Sequence, residues 1–144
     1  MKKRIMIIGG KQSGKSTVAN WLNDENKPLK KRQDAIYGAI TIDIPAAYLE
    51  NTCMYKYIFS LSQTAAIVLF LANGKDERSV YPPNFAKTFS CPVVGLVKSY
   101  DTIEEKQKAE AMLDQAGVRA PYFVFDIEDL ELLKEKECWL AKLK

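Results

Sequence analysis

The sequence predicts an α/β fold in three layers, in which a mostly parallel sheet of about five strands carries helices on both faces. Two observations predict it. Apolar runs of strand length alternate with helical patterns along the whole chain, as in parallel strands joined by crossover helices. A glycine-rich stretch at residues 9–16 joins the first apolar run to the first helical pattern. With 144 residues the chain is long enough for one domain with a full core.

Five apolar runs are the predicted strands: residues 5–8, 39–43, 65–72, 92–97 and 122–125. The run at residues 65–72 is the most hydrophobic, so we expect it to be a central strand buried on both faces. Helices are predicted at residues 16–22, 48–62, 84–88, 101–117 and 128–143. The fourth of these has the sequence of a capped helix start and ends with Gly117 at its C-cap. Residues 33–38 fit neither pattern.

The glycine-rich stretch fits G-x-x-x-x-G-K-[ST], the phosphate-binding P-loop. The residues predicted to bind a nucleotide there are Gly9, Gly10, Lys11, Gln12, Ser13, Gly14, Lys15, Ser16 and Thr17. The glycines allow close backbone approach to phosphate oxygens, and the following helix adds unpaired N–H groups. We expect Lys15 to neutralise phosphate charge as the catalytic residue and the Ser16 hydroxyl to ligate Mg²⁺. The motif predicts a P-loop NTPase fold and a single nucleotide-binding domain over residues 1–144.

A carboxylate on a neighbouring strand is the second part that P-loop chemistry needs, because it holds Mg²⁺ directly or through water. Asp43 ends the second predicted strand and is, with Ser16, the predicted metal ligand. The alternative is an ordinary strand-end carboxylate. Asp76 also follows a strand, but it lies beyond a glycine turn and is the weaker candidate.

Composition argues against several classes of protein. There is no histidine and no C-x-x-C pair among the three cysteines, which argues against a zinc site. A net charge of +3 without interleaved aromatic residues argues against nucleic-acid binding. The N-terminal apolar run is too short for a signal peptide, and no run approaches membrane-spanning length. We therefore expect a cytoplasmic protein with neither nucleic-acid nor membrane partners.

The order of these motifs resembles a small Ras-like GTPase and, within that group, the EutP/PduV family of ethanolamine- and propanediol-utilisation proteins. The residues that carry the resemblance beyond the P-loop are Asp43, Pro45, Tyr48, Ser79, Pro82, Pro83, Phe85, Lys98, Gly117 and Phe123. It extends over nearly the whole chain. The resemblance implies Mg²⁺ and a purine nucleotide, GTP or ATP, with Lys98 and Asp101 near the base. It also implies a partner in a metabolic pathway or a bacterial microcompartment.

The departures from the GTPase pattern concern catalysis and base recognition. Ala46 replaces the D-x-x-G glycine and Ala47 replaces the water-orienting glutamine, so we expect slow hydrolysis. The guanine-reading [NT]-K-x-D segment falls at residues 97–100, which puts Asp101 one position late. Tyr100 cannot replace a bidentate acceptor, and it either stacks on a base or packs at the strand end. No switch I threonine precedes Asp43 at the usual distance, and basic residues 31 and 32 occupy that loop.

Three functions remain compatible with the sequence. The first is a GTPase-like switch of the EutP/PduV type, and the second is an ATP-dependent kinase acting on a small carboxylate such as acetate. The third is a GTPase fold kept as a non-catalytic interaction module. Preference for GTP, for ATP or for neither nucleotide discriminates among them.

Overall fold

The computed structural model describes residues 4–10, 14–22, 36–37, 41–75, 81–119 and 122–126. The strands in this part of the chain are β1 (Arg4–Gly9), β2 (Ile36–Tyr37), β3 (Thr41–Asp43), β4 (Ala65–Ala72), β5 (Val93–Lys98) and β6 (Phe123–Phe125). They form one sheet in the order β2-β3-β1-β4-β5-β6. Every neighbouring pair is parallel except β2 with β3. The predicted mostly parallel sheet is confirmed, and the antiparallel edge strand lies in the stretch that fitted neither pattern.

The described helices are α1 (Lys15–Leu22), α2 (Ala46–Glu50), α3 (Tyr55–Ser62) and α4 (Ile103–Gln115), with 3-10 turns at Thr52–Met54 and Phe85–Thr88. None of these helices is long and apolar enough to cross a membrane. The helix predicted at residues 128–143 lies outside the described residues.

The prediction of one helix over residues 48–62 was wrong, because the chain leaves the helical conformation at Asn51. Asn51 is extended, with φ −128° and ψ 113°, and its side chain accepts a hydrogen bond of 2.9 Å from the Cys53 N–H. Asparagine often bonds the backbone two residues ahead in this way, and the bond competes with helix formation. The break separates α2 from α3.

The predicted caps of α4 are present. Thr102 accepts a hydrogen bond from the Glu105 N–H at 3.2 Å, and the Glu105 carboxylate accepts one from the Asp101 N–H at 2.9 Å. At the other end Gly117 has φ +90°, a conformation that favours glycine, and the Val118 N–H reaches the Leu113 carbonyl at 3.0 Å. Both ends of the helix are therefore fixed by short-range hydrogen bonds that the sequence predicts.

Two apolar cores lie on opposite faces of the sheet, because successive strand residues point to opposite sides. On one face α1 covers a core of Ile5, Ile7, Val18, Ala19, Leu22, Ile67, Leu69, Leu71, Leu96 and Phe125. On the other face α2, α3 and α4 cover a larger core that includes Met6, Ile8, Leu49, Ile58, Val68, Phe70, Ala109 and Leu113. The predicted three-layer arrangement is confirmed.

Tyr81 joins the carboxyl ends of the two central strands. Its hydroxyl lies 3.0 Å from the Ile8 carbonyl oxygen in β1 and 2.7 Å from the Leu71 carbonyl oxygen in β4. Its ring stacks on Phe70, with centroids 4.6 Å apart. One O–H group donates to one acceptor at a time, so the phenol is shared between the two carbonyls. The contact with Ile8 is buried and lies one residue before Gly9, where the P-loop begins.

We expect Tyr81→Phe to lower the free energy of unfolding by about 1–3 kcal/mol, because it leaves buried carbonyl oxygens without that donor. Tyr122→Phe is the matched control. Its hydroxyl donates to the Val118 carbonyl at 2.9 Å at a partly exposed position, so its loss should cost less than about 1 kcal/mol. Urea unfolding of both variants measures the difference. Equal losses would contradict the role assigned to Tyr81.

Candidate functional site

The predicted site residues meet at the carboxyl edge of the sheet. The chain runs from β1 to β3 on one side and then to β4 on the other, so the topology reverses at β1. In open parallel sheets the ligand crevice lies outside the carboxyl ends of the strands at such a reversal. Gly9, Asp43 and Lys98 each end a strand at this edge. The fold therefore brings together residues that are far apart in the sequence.

Lys15 begins α1, and its side chain reaches back to Gly10. Its ammonium donates a hydrogen bond of 3.1 Å to the Gly10 carbonyl. Gly14 has φ +93°, which lets the chain turn sharply into the helix, and its carbonyl accepts the Val18 N–H at 3.0 Å. This arrangement places a cation and a helix N-terminus at the same end of β1, which favours an anion there.

Burial governs the charge of Lys15. Loss of hydration lowers the pKa of Lys15 from its ordinary value of 10.5, and the Asp43 carboxylate raises it in part. The burial effect is the larger of the two. The ammonium consequently lies where more negative charge would stabilise it, as nucleotide phosphates would.

Asp43 is the last residue of β3 and pairs in register with Ile7 of β1. The pairing continues one step further, since the Ile44 N–H donates to the Ile7 carbonyl at 3.1 Å. Asp43 is 7% exposed and interacts electrostatically with Lys15. Within the described residues its buried Oδ1 accepts no hydrogen bond. A carboxylate is thus fixed beside the P-loop by strand pairing.

The donor set suits Mg²⁺ bound together with phosphate. No group of three or more metal-ligating side chains occurs in the part of the chain that the structure describes. Mg²⁺ usually takes one or two carboxylates and completes its shell with phosphate oxygens and water, so Asp43 is an adequate protein ligand. Ser16 lies in the first turn of α1, and its hydroxyl remains the second predicted ligand.

Some predicted residues lie outside the described part of the chain. These are Lys11, Gln12 and Ser13 of the P-loop, the alternative carboxylate Asp76 and the basic residues 31 and 32. Thr17 is described, partly buried in α1.

At the same edge of the sheet, beyond the end of β5, Asp101 precedes the N-cap of α4. Its Oδ2 lies 3.0 Å from the Nζ of Lys75, and both side chains are largely exposed. Tyr100 is half-buried and packs against the core beneath α4, with the Lys106 ammonium 5.9 Å from its ring centroid. Tyr100 therefore packs at the strand end, which is the second of the two placements that the sequence left open. Sequence reasoning missed Lys75, for which the only signal was a turn at residues 73–76.

Ala46 and Ala47 start α2. Pro45, the residue before them, has φ −58° and ψ 142°. Ala46 is helical, and among the described non-glycine residues only Asn84 has positive φ. Alanine is therefore compatible with the backbone here. Ala47 is exposed and carries no group that could orient a water molecule.

Solved structures of GTP-binding proteins share this fold. The probable GTP-binding protein engB is 16% identical, with a TM-score of 0.62 over 98% of this chain and 99% of that chain. Elongation factor SelB of Methanococcus maripaludis, in complex with the GTP analogue GppNHp, is 12% identical with a TM-score of 0.61. That match covers 99% of this chain and 34% of SelB, so this chain spans about a third of that protein.

Sequence similarity is more specific. The profile of the PduV-EutP family, described as ethanolamine utilisation - propanediol utilisation, matches residues 2–137. The propanediol utilization protein PduV of Citrobacter freundii is 32% identical over 129 residues, which cover 88% of this chain and 86% of that protein. The predicted resemblance is confirmed: the chain belongs to the PduV-EutP family and has the three-layer α/β fold of P-loop GTPases.

Proposed function

We propose that this chain is a small GTPase-like protein that binds Mg²⁺–GTP at its P-loop and serves propanediol or ethanolamine utilisation. The observation that carries the proposal is the half-buried Lys15 ammonium, which donates to the Gly10 carbonyl at a helix N-terminus. Burial makes this cation favour a strongly anionic ligand. The family supports the same reading.

In this proposal the described residues act mainly by binding and orienting phosphate. Lys15 and the N–H groups at the start of α1 neutralise phosphate oxygens, and Asp43 with Ser16 holds Mg²⁺. The metal, when bound, neutralises charge on the phosphates. Ala46 can still donate its backbone N–H, but Ala47 cannot orient a water molecule, so hydrolysis is slow.

Lys98 and Asp101 are proposed to contact the purine. Guanine presents two neighbouring N–H donors on its base-pairing edge, and a carboxylate accepts both. Adenine presents a ring-nitrogen acceptor there, which a carboxylate repels. The proposal therefore commits to GTP, and the ATP-dependent kinase becomes an outcome of the test.

The relatives support a proposal for the cellular setting. Because the Citrobacter relative is a propanediol utilization protein, we propose a protein of that pathway or of its microcompartment as the partner. The site of action would then be the bacterial cytoplasm.

Calorimetric titration with Mg²⁺–GTP and Mg²⁺–ATP, side by side, tests the proposal. We expect GTP to bind more tightly than ATP, and Lys15→Ala to weaken GTP binding by at least about 100-fold, or about 2.7 kcal/mol. Lys108→Ala removes the same charge from an exposed position on α4 and should change affinity less than about twofold. Preference for ATP would favour the kinase, and binding of neither nucleotide would favour an interaction module.

Asp43→Asn is expected to weaken the apparent affinity for Mg²⁺ in the presence of GTP about 10- to 100-fold, as loss of a metal-site group typically does. In EDTA, without Mg²⁺, Asp43→Asn should bind GTP at least as tightly as the wild type, because the substitution removes negative charge near the phosphates. Titrations with and without Mg²⁺ measure both effects. Asp114→Asn, on the exposed side of α4, is the control. An unchanged Mg²⁺ dependence in Asp43→Asn would remove Asp43 from the metal site.

GTP binding is expected to take up protons at alkaline pH. Burial holds the pKa of Lys15 below 10.5 in the free protein, and bound phosphate raises that pKa. Between the two pKa values Lys15 is partly neutral when free and charged when bound, so affinity falls as pH rises through this window. Below the lower pKa the ammonium is present in both states, and no proton is exchanged.

Calorimetry in two alkaline buffers that differ in ionisation enthalpy measures this uptake. Lys15→Arg is the control, because its guanidinium stays charged throughout. If the arginine variant binds GTP and takes up as many protons as the wild type, Lys15 is not the titrating group.

A further inference from the structure

We infer that Lys75 is a positioning residue that orients the Asp101 carboxylate toward the purine base. The inference rests on the proposed GTP-binding function and goes beyond it, because Lys75 belongs to no part of the P-loop or the guanine-reading segment. Its starting point is the 3.0 Å ion pair between the Lys75 Nζ and the Asp101 Oδ2.

The turn that carries Lys75 is anchored to the start of α4. The Lys75 N–H donates to the Asn73 side chain at 3.0 Å, and Asn73 is only 8% exposed. Gly74 packs directly against the backbone of Glu105, where a Cβ would overlap the Glu105 carbonyl. Only glycine fits this contact. The Lys75 side chain therefore leaves the backbone from a fixed point beside Asp101.

Asp101 is held from its backbone as well. Its N–H donates to the Glu105 carboxylate at 2.9 Å, and Glu105 is in turn tied to the Thr102 hydroxyl through its own N–H. The hydrogen bond to Asp101, together with the charges of Asp101 and Glu105, raises the pKa of Lys75, which keeps the ammonium charged. Two separate elements thus constrain Asp101. Its backbone is held by α4, and its side chain is held by the turn after β4 that carries Lys75.

This arrangement leaves the carboxylate available to a ligand. An ionised carboxylate has about four acceptor positions, and Lys75 uses one of them on Oδ2. The side chain of Asp101 is 79% exposed, so its remaining acceptor positions face solvent. Two N–H donors of guanine can bind there while the ion pair persists. A carboxylate already ordered by Lys75 loses less conformational freedom on binding.

The proposed role of Lys75 depends on the position of Asp101 in the sequence. The carboxylate lies one residue later than the guanine-reading aspartate of Ras-like proteins, so the usual sequence spacing does not orient it. The anchored turn supplies that orientation from outside the segment. Because both partners are exposed and such ion pairs are weak, we expect a modest effect on affinity.

The test compares GTP with ITP, whose base lacks the 2-amino group and so offers the carboxylate one donor fewer. We expect Lys75→Met to weaken GTP binding about three- to tenfold and to reduce the GTP-to-ITP affinity ratio. Lys75→Arg should restore both values, since it preserves the charge. Lys108→Met, on the exposed face of α4, should change neither. A merely structural loss would weaken GTP and ITP equally.

A double-mutant cycle completes the test. In an Asp101→Asn background Lys75→Met should have no further effect on GTP affinity, because its only route to the base has been removed. An unchanged ratio of GTP affinity to ITP affinity in Lys75→Met, or tighter GTP binding, would overturn the inference. The proposed function would still stand if Lys15→Ala weakens GTP binding. Failure of the wild-type protein to prefer GTP would overturn both.

Discussion

The pairing of β1 with parallel strands on both sides is the constraint on which the rest of the molecule depends. β3 fixes Ile5 to Ile7 from one side, and β4 pairs with β1 along its whole length from the other. Because residues of β1 alternate between two buried cores, a slip of one residue would exchange the two apolar faces. This register pairs Asp43 with Ile7, two residues before Gly9, where the P-loop begins.

The carboxyl edge of the sheet favours an anionic ligand because it holds a partly buried cation, Lys15. Burial destabilises the charged form of Lys15 more than the Asp43 carboxylate stabilises it. Its surroundings therefore favour a further anion. The helix N-terminus at Lys15 adds to the same preference. The Tyr81 hydroxyl is shared between the carbonyls of Ile8 and Leu71, each one residue before the end of its strand, which links β1 to β4 next to Gly9. These features together favour binding of an anion at this edge.

The departures from the GTPase pattern lie at the start of α2 and after β5. The backbone accepts Ala46 because α2 begins in ordinary helical geometry, while Ala47 removes the group that would orient water. After β5, Asp101 forms an ion pair with Lys75 of a neighbouring turn. A contact between elements therefore constrains the Asp101 carboxylate.

The sequence by itself determined the P-loop motif, the alternation of strands and helices and the capping of α4, because each depends on local spacing. It placed Asp43 at a strand end for the same reason. It also carried the resemblance to the family. Its prediction of one helix across Asn51 failed, since a single side-chain hydrogen bond outweighed the apolar pattern. Only the tertiary structure decided that Tyr81 contacts Ile8, and that Lys75 contacts Asp101. Those contacts join residues far apart in the chain, and strand order and register, which no local pattern records, bring them together.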